Sequence, residues 1–283
     1  MMIKKALLGL SVICLSTATT QAVIVYGLTT TNGLVSFESS LPSAVTNIGT
    51  ISQAGIVDID FFPVNGLLYG ITSNGATYSI SLTNAVATFL FNPLTVLSGI
   101  TDMDFNPQAD RMRLFGTTDQ NYRMVPNTTT APSTSGTAGT VTADGTFSNT
   151  SVNLVGSAYT NNFDGASSTS LYSIDSAGST LILHSLPTAF NTVTPVGNLG
   201  FTVGTNVGFD IDLSGNAYLT DGDNFYSVNL TSGSATSLGS IATVGSDLVS
   251  IAVPEPGTWA VLLAGMAALF AFTKMRKTAV AKI

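Results

Sequence analysis

Short β-type runs return along this chain in units that none could bury alone, and that recurrence constrains the fold more than any single motif. Ile56-Val57-Asp58-Ile59-Asp60-Phe61 leads through a Pro63–Gly66 turn into Leu67–Ile71 and Ala76–Ile80. Val207-Gly208-Phe209-Asp210-Ile211-Asp212 repeats the plan, with a Ser214-Gly215-Asn216 turn, then Ala217–Thr220 and Asn224–Val228. A third copy opens at Ile100–Phe105 and continues through Arg111–Phe115 and Asn121–Val125; a looser fourth runs Val155–Asn161, Ser170–Asp175, Thr180–Leu186, Val193–Gly197. The units are meanders of about four strands starting roughly 40 to 55 residues apart, a spacing that suits propeller blades. The first unit lacks its opening strand: it holds Val23–Leu28, Leu34–Phe37 and Ala44–Gly49, while Asp247–Val253 stands unmatched at the far end. Pairing the two ends completes a fifth blade and leaves no exposed sheet edge. The expected fold is therefore all-β: a β-propeller of five four-stranded blades, closed by its N- and C-terminal strands. A β-sandwich and an open β-repeat array are the competing architectures.

Apolar residues make up 45% of the 283 and charged ones only 9%, so the surface is hydroxyl-rich and the chain folded, since disorder brings more charge and fewer aliphatics. The net charge of −7 is unevenly spread: between Val23 and Val253 the only basic residues are Arg111, Arg113 and Arg123, against acids recurring from Glu38 to Asp247. Such a span repels phosphate backbones and excludes nucleic acid as a partner. Residues Asn127–Asn153 form a Thr/Ser/Ala/Gly tract, read as a long low-complexity loop in the third unit.

Both ends carry addresses. Lys4-Lys5, an apolar run from Ala6 to Leu15 and a small polar stretch ending at Gln21-Ala22 give the three-part order of a signal peptide over residues 1–22, cleaved after Ala22. The single Cys14 lies inside it, so the exported domain would have no thiol; Ile13 and Ser11 do not suit lipidation of that cysteine. At the other end, Pro254-Glu255-Pro256-Gly257 precedes an uncharged stretch over 258–273 and then Lys274-Met275-Arg276-Lys277. That stretch is short for a bilayer crossing but can span with snorkelling flanks, placing the basic cluster on the cytoplasmic side. The combination over 254–283 resembles the PEP-CTERM sorting signal. The resemblance implies transient insertion in the bacterial inner membrane, processing by an exosortase-type membrane peptidase and a link to exopolysaccharide, with Pro254, Glu255, Pro256 and Arg276 as the matching residues.

The middle, 23–253, carries a second resemblance. Asp104-Phe105-Asn106-Pro107, Asp110-Arg111-Met112-Arg113, Asn121-Tyr122-Arg123 and Pro126 are similar to the central signature of a bacterial domain family of unknown function. Ala158–Asn161 with Leu171–Asp175 matches its next block, and Asp60-Phe61-Phe62-Pro63 an earlier one, except that Phe62 stands where an arginine is usual. The resemblance implies a propeller-like extracellular domain and no known reaction.

Three constellations bear on chemistry. The alternating acids Asp58/Asp60, Asp102/Asp104 and Asp210/Asp212 each share one strand face. On innermost strands they would gather around a central channel, either as general acid and base of a glycoside hydrolase or as structural groups bonding backbone amides. The structural reading is preferred. Asp210 to Asp221 superficially fits a calcium loop, but strands flank it where an EF-hand has helices, so no cofactor is expected. Arg111 and Arg113 share a strand face beside Asp102, Asp104 and Asp110, and read as partners of carboxylates or, alternatively, as a clamp for an anionic ligand such as a uronic acid. The lone His184 supports neither a histidine metal site nor a Ser-His-Asp triad, and no glycine-rich nucleotide loop is present. The leading expectation is an exported, non-enzymatic module contacting matrix proteins or exopolysaccharide. A secreted carbohydrate-active enzyme using the paired aspartates is the alternative, and a calcium-stabilised adhesin a third.

Overall fold

A computed structural model describes residues 22–117, 120–126, 136–149, 151–185, 189–242 and 245–255. Its strands form five four-stranded antiparallel sheets arranged as a closed ring. The first blade holds β1 (Ile24–Thr29), β2 (Gly33–Glu38) and β3 (Leu41–Thr50); the second, β4 (Ile56–Phe61), β5 (Leu68–Thr72), β6 (Thr77–Ile80) and β7 (Ala87–Phe91). The third holds β8 (Ile100–Asn106), β9 (Arg111–Gly116), β10 (Asn121–Met124) and β11 (Val141–Ala143); the fourth, β12 (Leu154–Tyr159), β13 (Leu171–Asp175), β14 (Thr180–Ser185) and β15 (Thr192–Asn198). The fifth holds β16 (Val207–Ile211), β17 (Ala217–Asp221), β18 (Asn224–Val228) and β19 (Ala235–Ser240). The last strand, β20 (Leu248–Ala252), crosses to the first blade and pairs antiparallel with β1, Tyr26 opposite Ala252 and Gly27 opposite Ile251. The expected closure of the ring is therefore present, with five blades.

Five apolar clusters hold the ring, one at each interface between blades. Phe62, Tyr69 and Phe105 meet between the second and third blades, where Phe62 stacks on Phe105 at 4.5 Å. Phe37 meets Phe225 edge-on at 5.1 Å between the first and fifth. Sheets buried on both faces explain why the inner strands read as near-continuous apolar runs: β16 is buried at every position. Each blade hides its faces only against its neighbours, so no blade has a core of its own.

The tract over 127–153 is not a loop throughout. Val141–Ala143 is β11, the outermost strand of the third blade, paired with β10 through Tyr122 opposite Ala143. Three residues with little apolar content suffice for an outer strand whose far edge faces solvent, so composition alone missed it. Residues 127–135 and 150 lie outside the described set.

Ala22 is exposed and Val23 already bonds Ser39, so the expected cleavage point abuts the first strand. No helix among the described residues is long and apolar enough to cross a membrane, and the expected C-terminal helix over 258–273 lies outside them, as do Pro256 and Arg276.

Candidate functional site

The innermost strands β20, β4, β8, β12 and β16 stand side by side around the axis. Each pairs within its own sheet on one side only, so on the other side it presents backbone N–H groups that would be orphaned. The aspartates meet that need. Asp58 accepts from its own neighbour Ile59 (2.9 Å) and, across the blade boundary, from Met103. Asp60 repeats this with Phe61 (2.7 Å) and Phe105 (3.0 Å). Asp102 accepts from Ser157 of the fourth blade (3.0 Å). Asp210 accepts from Ile211 and from Val253, both at 2.6 Å, tying the fifth blade to the end of the closing strand. Ser250 fills the same role between the first and second blades, accepting from Ile59 at 3.1 Å.

These bonds set the register and correct one sequence assignment. Two layers emerge: Ser250, Asp58, Asp102, Gly156 and Gly208 in one, and Ala252, Asp60, Asp104, Ala158 and Asp210 in the other. The fifth blade's counterpart of Asp58/Asp60 is Gly208/Asp210, not Asp210/Asp212. Asp212 sits beyond the strand and closes the β16–β17 turn, accepting from the Asn216 backbone and side-chain amides, both at 2.8 Å. In the same segment Asp210, Asp212 and Asp221 accept from Val253, Asn216 and Gly204 respectively, so the three carboxylates serve three different parts of the fifth blade and its neighbour.

The carboxylates line a cavity of about 10 Å³ on the axis, room for one water-sized body. Asp58, Asp60, Asp102, Asp104 and Asp210 are only 2–7% exposed. Burial first, and neighbouring carboxylates second, hold Asp58, Asp60 and Asp104 well above the ordinary carboxylate range. Burial raises Asp102 to about 6 and Asp210 to about 7. Nearest oxygens of Asp60, Asp104 and Asp210 lie within 4.8 Å of one another.

Above this cavity the ring opens into a funnel of about 490 Å³. Thr29, Thr30, Thr101, Thr117, Thr205, Asn32 and Asn153 supply polar side chains; Ile56, Val57, Leu154, Val155 and Val249 are apolar, and among the described residues no charged one lines it. Thr101, Val155 and Val249 line both spaces and so form the neck between them. The funnel is built from the starts of the inner strands. The chain leaves the ring at Val253-Pro254, past the end of β20, roughly 15–20 Å away along the axis on the opposite side. There Glu255 is raised to about 9 by burial first and then by the charges of Asp210 and Asp212.

Arg113 and Arg123 pair with a carboxylate that the sequence reading did not name, while Arg111 lies beside the charge of Asp110, which it did. Arg113, 1% exposed, bonds Asp144 at 2.6 Å, and Arg123 bonds the same carboxylate at 2.7 Å. Arg111 donates to the carbonyls of Ala109 and Asp110. Neither Arg111 nor Arg113 lines the funnel, so no anion clamp forms there.

Sequence reasoning also passed over a buried polar line across the fourth blade. Ser157 Oγ lies 2.7 Å from Ser173 Oγ, which lies 2.8 Å from His184 Nε2. His184 Nδ1 is 2.8 Å from the Phe190 carbonyl, which can only accept, so Nδ1 carries the proton and Nε2 accepts from Ser173. Burial, with the Arg113 charge adding to it, lowers His184 to about 4. Ser173 is fully buried, so this line orders a blade and presents no nucleophile. The unfolded chain protonates first as pH falls, so the stability that neutral His184 provides is complete above about 6.5 and is lost towards 4. Urea unfolding of the wild type and His184→Gln across that range is expected to show the difference between them shrinking as pH drops; a constant difference refutes the assignment.

A family model described as a domain of unknown function (DUF4394) matches residues 33–252, from the start of β2 to the end of β20. No curated protein matches the chain. Among solved structures it is similar to a protein from Lactobacillus plantarum (12% identity over 79% of this chain and 68% of that one, TM-score 0.43). It is also similar to a chain of a nidogen/laminin complex (12%, 83% and 98%, TM-score 0.48). An auxiliary nutrient binding protein from Bacteroides thetaiotaomicron is a third (16%, 79% and 51%, TM-score 0.43). With the match spanning all five blades, the chain belongs to the DUF4394 family of domains of unknown function.

Proposed function

We propose that this protein is an exported, non-catalytic propeller that binds neutral glycan of the extracellular matrix in its funnel. The observation that carries the reading is the contrast along the axis: a threonine-rimmed bowl of about 490 Å³, with no charged side chain among its described lining residues, stands open, while the axial carboxylates are buried below it. Bowls of that size suit ligand binding, and hydroxyl and amide side chains over an apolar floor suit the hydroxyls and ring faces of uncharged sugars. Acid–base hydrolysis fits less well. Glycosidase carboxyls stand about 5–9.5 Å apart and flank a substrate, whereas the closest axial oxygens lie within 4.8 Å and a neck of valines and Thr101 separates them from the funnel. The last described residues, Val253 to Glu255, stand on the face opposite the funnel. Under an exosortase-type route, in which Pro254-Glu255-Pro256 is recognised and Arg276 marks the cytoplasmic edge, the membrane-held protein would direct its funnel outward, towards exopolysaccharide or matrix proteins.

Calorimetric titration of the full chain with neutral gluco-, galacto- and manno-oligosaccharides, and with an alginate oligosaccharide, tests this. Binding of a neutral sugar is expected, with no release of reducing ends. Thr205→Tyr, which fills the bowl from an exposed position, is expected to weaken it at least about tenfold with an unchanged melting temperature. Preference for alginate, turnover, or indifference to Thr205→Tyr defeats the proposal.

A further inference from the structure

We propose that Asp60, Asp104 and Asp210 hold one calcium ion at the centre of the ring. The three carboxylates come from the second, third and fifth blades and converge although their strands are far apart in sequence. Asp60 and Asp210 use one lone pair on each oxygen for the backbone bonds between strands, leaving the other free to face a metal. Asp104 makes the independent case. Its Oδ1 is buried and finds no hydrogen-bond partner, in a side chain 3% exposed that lines the axial cavity. A buried carboxylate oxygen with nothing donating to it is a costly arrangement unless a cation completes it.

The surroundings agree. The cavity admits one atom-sized body, is walled by five carboxylates, and has no basic side chain among its described lining residues. Its ligands are all oxygens, which selects a hard cation over zinc or copper. Three convergent carboxylates from three blades suit calcium, which takes several carboxylate oxygens in flexible geometry, better than magnesium, which keeps most of its waters and has no room for them here. Calcium here would neutralise repulsion at the one place where all the blades meet, and so act on the whole ring. The inference stands apart from the glycan proposal, since the ion lies below the neck and the sugar above it.

The test uses the full chain, loaded with calcium chloride, passed into calcium-free buffer by gel filtration and assayed for metal by mass spectrometry. About one calcium per chain is expected for the wild type and for Asp164→Asn, an exposed control, and close to none for Asp104→Asn. Melting gives a second readout that does not depend on retention. Calcium, more than magnesium, is expected to raise the melting temperature of the wild type and leave Asp104→Asn unmoved. With metal removed by EGTA, Asp104→Asn is expected to melt above the wild type, because one uncompensated buried carboxylate is gone. Absence of calcium from the wild type together with an unchanged melting temperature, or equal calcium in Asp104→Asn, overturns the inference.

Discussion

Gly208→Ala is expected to destabilise the ring by about 3 kcal/mol, at the upper end for overpacked sites, because it pushes the fifth blade off the closing strand. A Cβ at this position would lie 2.5 Å from the Ile251 nitrogen and 2.7 Å from the Ser250 carbonyl carbon, both backbone atoms of β20. Neither can swing aside as a side-chain end would. The closing strand is held on its other side by the ladder to β1, Ile251 opposite Gly27 and Ser250 opposite Leu28. Gly208 itself is pinned by Thr220, whose hydroxyl accepts its N–H at 3.0 Å. The strain would therefore be relieved by loosening β20, and limited proteolysis should cut after the fifth blade in the variant. Gly156→Ala is the internal comparison. It meets the Phe209 side chain at 3.1 Å and no backbone atom closer than 3.4 Å, so about 1 kcal/mol is expected. Urea unfolding of the two variants gives both values, and a Gly208→Ala cost below about 0.5 kcal/mol would show that the strands do not approach as described.

The glycines also explain where the sequence could be read and where it could not. Strand runs and the unmatched Asp247–Val253 segment were legible because period and apolar content are local properties, and an unpaired end in a repeat has one obvious partner. The acid pairs told that Asp58/Asp60 and Asp102/Asp104 share a face. They did not tell the layer of Asp210, because in the fifth blade the first acid is replaced by Gly208, where the Ile251 backbone comes too close for any side chain. Matching acids to acids then slid the assignment by two residues onto Asp212. What an inner-strand position needs is a partner for a neighbour's N–H or room for a neighbour's backbone, and those are facts about the adjacent blade. The same holds for the line from Ser157 through Ser173 to His184, drawn from three strands with no fixed spacing.

Asp144→Ala is expected to cost about 3–5 kcal/mol, and the reason lies in what it would leave behind. Arg113 is fully buried at the boundary of the third and fourth blades; besides Asp144 it donates to Tyr159 Oη at 3.2 Å and Asn121 Oδ1 at 2.6 Å, with the Phe190 ring 5.3 Å below its guanidinium. Those groups are dipoles, whereas Asp144 is the opposing charge among the described residues, so its loss takes that carboxylate away from a buried cation. Arg123 reaches the same carboxylate from a side chain 33% exposed, where solvent screens it, and Arg123→Ala should cost only up to about 1 kcal/mol. The double variant Asp144→Ala with Arg113→Met decides the mechanism: removing the stranded charge should recover part of the loss, so that it unfolds at higher urea than Asp144→Ala alone. A double variant less stable than the single would mean that Asp144 acts through its own bonds and not as counter-charge. Asp144 follows directly on β11 within a tract whose composition reads as loop. A cost of this size would make that tract one of the fastenings of the ring, since it carries the carboxylate on which the buried guanidinium between two blades depends.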